Sequence, residues 1–198
     1  MFVITADQVG SRTSADRVGT MVTELNARYA DRLSLAADRT AGDELQLLTA
    51  DGVDALSICL LLARGEGWSV GLGVGSVRHP LPAGVRESAG DAFVAARAAV
   101  ERAKKRATRF ALVHLSEPEA ASDALALLDL LLILRSKRSE QGWELYDLLE
   151  AGITQAEAAA RLGITPQAAS KRGQAAALMA ERAAIAPLSR MLERLDRL

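Results

Sequence analysis

Trp68-Ser-Val-Gly-Leu-Gly-Val-Gly-Ser-Val77 decides how the first half of the chain is read. Val70, Leu72, Val74 and Val77 alternate with glycines, which predicts a strand that another backbone or a ligand can approach closely. Just upstream, Asp51 is placed to cap a helix carrying Val53, Leu56, Ile58, Leu60, Leu61 and Leu62, and Gly65-Glu-Gly67 ends it. Positions 33–40 and 45–49 are strand candidates flanking Ala41-Gly-Asp-Glu44, a hairpin connection in which Gly42 is expected to supply a positive φ. Val18, Met21, Val22, Leu25 and Tyr29 recur at three- and four-residue spacing, so a helix is predicted from about Ser14. Positions 2–6 form a short, partly β-branched run that ends at Asp7 and the turn-prone Gly10-Ser11, as a first strand should.

The order is therefore βαββαβ, the ferredoxin-like supersecondary pattern. A loop with Pro80 and Pro82, a helix over 89–107 and a strand over 110–115 extend it. Ser116-Glu-Pro-Glu119 reads as a capping box opening a leucine-rich helix to about 138, and all later periodicity is helical. The expected fold is α+β: a ferredoxin-like domain over 1–115, a connecting helix over 116–138, and an all-α unit over 139–198. Pro187 is expected to break the last segment, whose apolar positions, Leu188, Leu192 and Leu195 among them, can meet a partner helix or pack on the chain's own domain.

Composition narrows the functional classes. The 198 residues are 49% hydrophobic and 25% charged, enough for one good core and a small second one. With 24 Lys and Arg against 25 Asp and Glu, no global basic field draws the chain to nucleic acid, so any DNA contact must be local. Cys59 lies in an apolar run and reads as a buried hydrophobe, which leaves no disulfide within the chain. The start, with no basic region ahead of Asp7, does not read as a secretion signal, and the longest aliphatic stretch, over 125–134, carries Asp129 and is short of a membrane span. A cytoplasmic protein without membrane contact is expected. His79 and His114 are isolated, which disfavours zinc chemistry and a hydrolase triad.

The sharpest local signals lie near the C-terminus. Trp143-Glu-Leu-Tyr-Asp-Leu-Leu-Glu-Ala-Gly152 is an amphipathic helix closed by glycine, and Thr154-Gln-Ala-Glu157 is a capping box opening a short helix to Leu162. Gly163-Ile164 is a turn; Thr165 then caps a third helix with Pro166 at its first position. The run from Ala151 to Arg172 resembles the helix-turn-helix of many bacterial regulators. That resemblance implies double-stranded DNA as partner, with Gln167 and Ser170 at base edges, Ala168 against a thymine methyl, Thr165 at the helix start, and Gln155, Lys171 and Arg172 at phosphates. A helical hairpin used only for packing or protein contacts is the bland alternative. Two-fold operators call for a homodimer.

In a βαββ arrangement the first strand lies beside the hairpin, so Asp7 and Asp43 converge at one border of the sheet, where two carboxylates can hold Mg²⁺ while phosphates and water complete its shell. Gly10-Ser11-Arg12 can offer backbone N–H groups and a guanidinium to a nucleotide phosphate. Equally, both aspartates can be turn residues, and Arg97 can belong to a solvated face with Arg102, Lys104, Lys105 and Arg106.

Ile4-Thr-Ala-Asp-Gln-Val-Gly-Ser-Arg12, Ala41-Gly-Asp-Glu-Leu-Gln46, Val70-Gly-Leu-Gly-Val-Gly-Ser-Val77 and Ala89-Gly-Asp-Ala-Phe-Val-Ala-Ala-Arg97 resemble the SatD family of bacterial proteins. More distantly they resemble the palm domain of class III nucleotidyl cyclases and GGDEF diguanylate cyclases. That likeness implies metal aspartates at Asp7 and Asp43 and nucleotide contacts at Gly42, Glu44 and Arg97. The chain has Phe93 where the cyclases have Asn, and Ala41 where GGDEF enzymes have Gly, which implies binding rather than turnover. The resulting expectation is a transcription regulator with a nucleotide- and Mg-binding sensor domain. Its rivals are an active nucleotidyl cyclase-like enzyme and a DNA-binding scaffold whose first domain only dimerises.

Overall fold

The computed structural model describes residues 1–11, 13 and 15–198. They form one mixed α+β fold around a five-stranded sheet: β1 (Phe2–Gln8), α1 (Val18–Tyr29), β2 (Leu35–Ala41), β3 (Glu44–Thr49), α2 (Gly52–Leu62), β4 (Trp68–Val74), α3 (Asp91–Ala103) and β5 (Phe110–His114). Five further helices follow: α4 (Pro118–Ser136), α5 (Glu140–Glu150), α6 (Gln155–Arg161), α7 (Pro166–Ala175) and α8 (Leu178–Leu195). The helix predicted from Ser14 starts at Val18, and Ser14 lies outside the described residues.

The strand order is β2-β3-β1-β4-β5. β1 pairs antiparallel with β3 (Asp7 opposite Glu44) and with β4 (Asp7 opposite Ser69), while β4 and β5 run parallel. Strand alternation then divides the core. Phe2, Ile4, Ala6, Val70, Leu72 and Phe110 point to one side and bury against α1, α2, α4 and α8. Val3 and Leu48 on the opposite side meet Ala92 and Ala96 of α3, with Ala111 and Val113 of β5 packed on Ala95, Ala99 and Ala103.

The alternating glycines of β4 explain how α3 sits. A Cβ at Gly71 would stand 2.3 Å from the Val100 nitrogen, and one at Gly73 would stand 2.2 Å from the Ala92 oxygen and the Ala96 nitrogen. What approaches this strand closely is thus the backbone of α3. On the other side, α2 is buried nearly all round, as expected of a helix apolar on every face. The Asp51 carboxylate caps it by accepting from the Val53 and Asp54 N–H groups, and it lies between the sheet and α8.

Three local expectations are corrected. Ser116 does not cap α4: Pro118 takes the first helical position, which makes Glu117 the cap, and Glu117 makes no side-chain cap bond. Proline's fixed φ sets the start there, and the Glu117 N–H donates instead to Nδ1 of the buried His114 at 3.1 Å. Gly42 is not among the glycines with positive φ; the hairpin instead carries a register shift between Arg39 and Ala41, and the Arg39 guanidinium donates to the Gly42 carbonyl at 2.8 Å. Such a shift adds local twist to the paired strands. Pro187 does not break α8. Pro187 and Ala183, the residue whose carbonyl loses its helical partner, are both exposed, so water can meet that carbonyl, while Leu188, Leu192 and Leu195 anchor the helix in the core.

Those three leucines lie in the same cluster as Phe2 and Leu56, so α8 returns to α2 and α4 rather than staying with α5 to α7. Cys59 is buried there, and burial pushes its thiol pKa far above the usual range, as suits an inert apolar position. Among the described residues no helix is long and apolar enough to cross a membrane.

Candidate functional site

Two regions carry the residues singled out above. At one border of the sheet, β1 ends beside the β2–β3 hairpin: the Gln8 N–H donates to the Asp43 carbonyl at 2.8 Å, and the Val9 N–H to the Gly67 carbonyl at 3.0 Å. Gly10 turns the chain with φ +68°, a conformation that suits glycine, and the Thr13 N–H closes the turn on its carbonyl at 2.9 Å. Ser11 Oγ donates to Asp43 Oδ2 at 2.5 Å. Arg12 lies outside the described residues.

Backbone pairing thus gathers Asp7, Gly10, Ser11, Gly42, Asp43 and Glu44, and α3 completes the border. Arg97 donates to the buried Glu44 carboxylate at 2.9 Å, which also accepts from Thr40 Oγ1 at 2.5 Å. Lys104 lies 3.0 Å from Asp7 Oδ2 and 2.9 Å from Glu101 Oε1. Burial opposes the charge on Lys104, but the Glu101 and Asp7 carboxylates outweigh it and hold its pKa above the ordinary value. The hydrogen bond from Lys104 holds the Glu101 carboxyl below its usual range.

Arg97 is exposed, as a solvated basic face requires, yet it also holds Glu44, and Lys104 stands at the same border. The sequence signal was present, since Arg97, Glu101 and Lys104 recur at four- and three-residue spacing on one helix face. The oxygen donors at Asp7 and Asp43 have the chemistry Mg²⁺ takes, whereas Lys104 already neutralises one of them. Among the described residues no group of three or more His, Cys, Asp or Glu is placed to hold a metal.

The second region is the packed trio α5, α6 and α7. Ser139 caps α5 through the Gly142 N–H at 3.2 Å. Thr154 and Glu157 form the reciprocal capping box on α6. Its hydrogen bonds from Thr154 hold the Glu157 carboxyl below the usual range, so what the box adds to stability is present above the unfolded-state pKa and is lost as pH falls through the folded one. Gly152 at φ +80° and Gly163 at φ +64° reverse the chain between helices. Leu145, Ala158, Ala159 and Ala169 are buried at the centre, where small side chains let the helices approach, while Ile164 is half-buried.

Gln155, Thr165, Gln167, Ala168, Ser170 and Lys171 are exposed; Arg172 is half-buried and reaches back to Glu144 at 3.4 Å. Gln167, Ala168 and Lys171 thus leave α7 open, while Gln155 and Ser170 stand at a cleft toward α2 and one of the two cations of α7 turns toward α5. Thr165 Oγ1 accepts from the Ala168 N–H at 3.1 Å, so Thr165→Ala is expected to cost about 1 kcal/mol, read as a lowered urea midpoint at unchanged slope. No change in midpoint would remove the cap from the reasons why α7 begins there.

Two features went unread in the sequence. Arg135 and Arg138 are buried against a single buried carboxylate, Glu181, below the rings of Trp143 and Tyr146. Beside them a cleft of about 940 Å³ runs between α2 and the last four helices, with Arg64, Arg135, Tyr146, Gln155 and Ser170 on its walls.

The chain is thus an α+β protein with a hydrogen-bonded acidic border and a capped three-helix unit. Compared with models of known families, with curated proteins and with solved structures, it matches none.

Proposed function

We propose that the chain is a DNA-binding transcription regulator. Its first unit is ferredoxin-like, of the kind the SatD and cyclase-palm resemblance implies, and binds a nucleotide with Mg²⁺ at the Asp7 and Asp43 border. Its α6–turn–α7 element is a helix-turn-helix that reads double-stranded DNA as part of a homodimer. One observation carries the reading: α6 and α7 are fixed by a capping box, a positive-φ glycine and a Thr-Pro start, while Gln167, Ala168, Ser170 and Lys171 are left open to solvent.

The nucleotide reading is supported by Asp7 opposite Glu44 with Lys104 and Arg97 on their carboxylates, and by Asp43 in the adjoining turn bonded to Gln8 and Ser11, which puts oxygen donors for Mg²⁺ and cations for phosphate at one border. Over 139–176 there are three basic residues against five acidic ones, so phosphate contacts are few and affinity must come from base edges.

The test is selection of bound duplexes from a random pool, followed by affinity against salt. One enriched motif is expected, with a shallow salt dependence of roughly one or two ions per module. Gln167→Ala should relax preference at one position, and Lys171→Ala should weaken all sequences and flatten the salt dependence further. For the sensor, ATP, GTP and cyclic nucleotides are tested by thermal shift with and without Mg²⁺, and Asp43→Asn should abolish a Mg²⁺-dependent rise. Failure to enrich any motif overturns the DNA reading and favours the second one, a helical unit for protein contacts, which the acidic surplus over 139–176 supports.

A further inference from the structure

The outer face of α4 carries an uncovered apolar stripe. Of eight large apolar side chains exposed among the described residues, three lie on it in one stripe: Leu127 at 47%, Leu130 at 65% and Ile133 at 44%. Single exposed leucines need no explanation, but a contiguous stripe does. Beside it, between α4 and α8, runs a groove of about 630 Å³ with Ala184, Pro187 and Met191 on its far wall and only Arg190 and Arg194 as charged lining.

The order of residues on this face points to what covers it. Read outward from Leu130, Leu127 and Ile133 stand three residues to either side, Ala126 and Leu134 four, and Asp123 and Lys137 seven. The face is thus complementary to itself when reversed. Two copies of α4 laid antiparallel about a two-fold axis at Leu130 would bring Leu130 against its counterpart and Leu127 against Ile133. Asp123 and Lys137, each about 10 Å from the axis along the helix, would meet across both ends. Asp123 and Lys137 are exposed, and neither side chain has a hydrogen-bond or ion-pair partner among the described residues.

We infer that α4 is the seam of an isologous homodimer, in which the two Leu130 side chains meet at the axis and cover the α4 wall of the groove between α4 and α8 in each copy. The inference names the surface for the dimer that the DNA reading requires, yet it stands on α4 alone and does not depend on DNA binding.

The test is sedimentation velocity and light scattering on the full chain over a broad concentration range, with circular dichroism to check folding. Leu130→Asp, at an exposed position, should keep the fold and raise the dimer dissociation constant at least about a hundredfold. Asp123→Lys alone should raise it roughly tenfold by reversing both end pairs, and Asp123→Lys with Lys137→Asp should recover the wild-type value. Leu130→Cys should be joined to its counterpart by a short bismaleimide, with the buried Cys59 unreactive. A monomeric wild type overturns the proposal. So does a dimer that tolerates Leu130→Asp and leaves Leu130→Cys unjoined, in which case dimerisation uses another surface and the DNA reading is untouched.

Discussion

Replacing Gly73 by alanine is expected to destabilise the protein by about 3 kcal/mol or more, at the upper end of what overpacking does. The added Cβ would stand 2.2 Å from both the Ala92 oxygen and the Ala96 nitrogen, distances at which something must move. Neither obstacle is a flexible side chain. Both are backbone of α3, whose buried face is alanine at Ala92, Ala95, Ala96, Ala99 and Ala103, with Val100 the one larger side chain, so little on it can rearrange. β4 cannot retreat either, because Val70, Leu72 and Val74 are fully buried on its other side. The helix must therefore lift, and it takes with it Arg97 and Lys104, the partners of Glu44 and Asp7. Gly42→Ala is the matched control: a Cβ there meets nothing within 4 Å, and its φ is not in the left-handed region, so a change within about 0.5 kcal/mol is expected. Urea unfolding of the two variants decides the matter. Equal midpoints would mean that α3 has slack on the sheet and that close packing does not fix the border.

The same glycines show what the sequence could and could not tell. Their alternation with valine and leucine announced a strand open to close approach, but not that the visitor would be the backbone of the next helix, α3. Signals carried by neighbouring residues were legible: the Asp51 cap, the Thr154 and Glu157 box, the Thr165-Pro166 start, and the strand and hairpin that set Asp7 opposite Glu44. Where two local signals competed, the stiffer one won, as when Pro118 overrode Ser116. Partnership across the chain was not legible. An apolar stripe such as Leu188, Leu192 and Leu195 declares that it will be buried without naming against what, and here it closes over α2 and α4. Charged residues hid even better. Lys104 read as solvated surface yet meets Asp7, and Arg135 and Arg138 lie in the interior because Glu181, more than forty residues away, waits there.

That interior cluster yields the largest expected effect of a charge change. Glu181→Gln should lower stability by about 3–5 kcal/mol, the cost of stripping the counter-ion from buried cations, against the ~5–15 kcal/mol that holds a typical domain together. Glu181, Arg135 and Arg138 are 3%, 4% and 6% exposed, so water cannot take over the screening. One carboxylate serves two guanidinium groups, and Arg135 Nε and Arg138 Nη1 are already buried without partners. The rest of the support is dipolar: Arg135 donates to the Leu60 carbonyl and Arg138 to the Ala176 carbonyl, both at 3.1 Å, and the Trp143 ring centroid lies 4.9 and 4.4 Å from the two guanidinium carbons. Carbonyls and ring faces favour a cation but carry no net charge, so glutamine, of the same shape, leaves two positive charges uncompensated in a medium of low dielectric. Arg138→Met should cost less, because it leaves one cation facing one anion, and replacing all three charges by apolar residues should recover most of the loss. The cluster joins α2, α4, α5, α7 and α8, so the Glu181 variant is expected to loosen the three-helix unit first, visible as early hydrogen exchange of α5 to α7 relative to the sheet. A drop below about 1 kcal/mol, or uniform exchange across the chain, would show that these arginines are hydrated in solution and do not fasten the two parts of the fold.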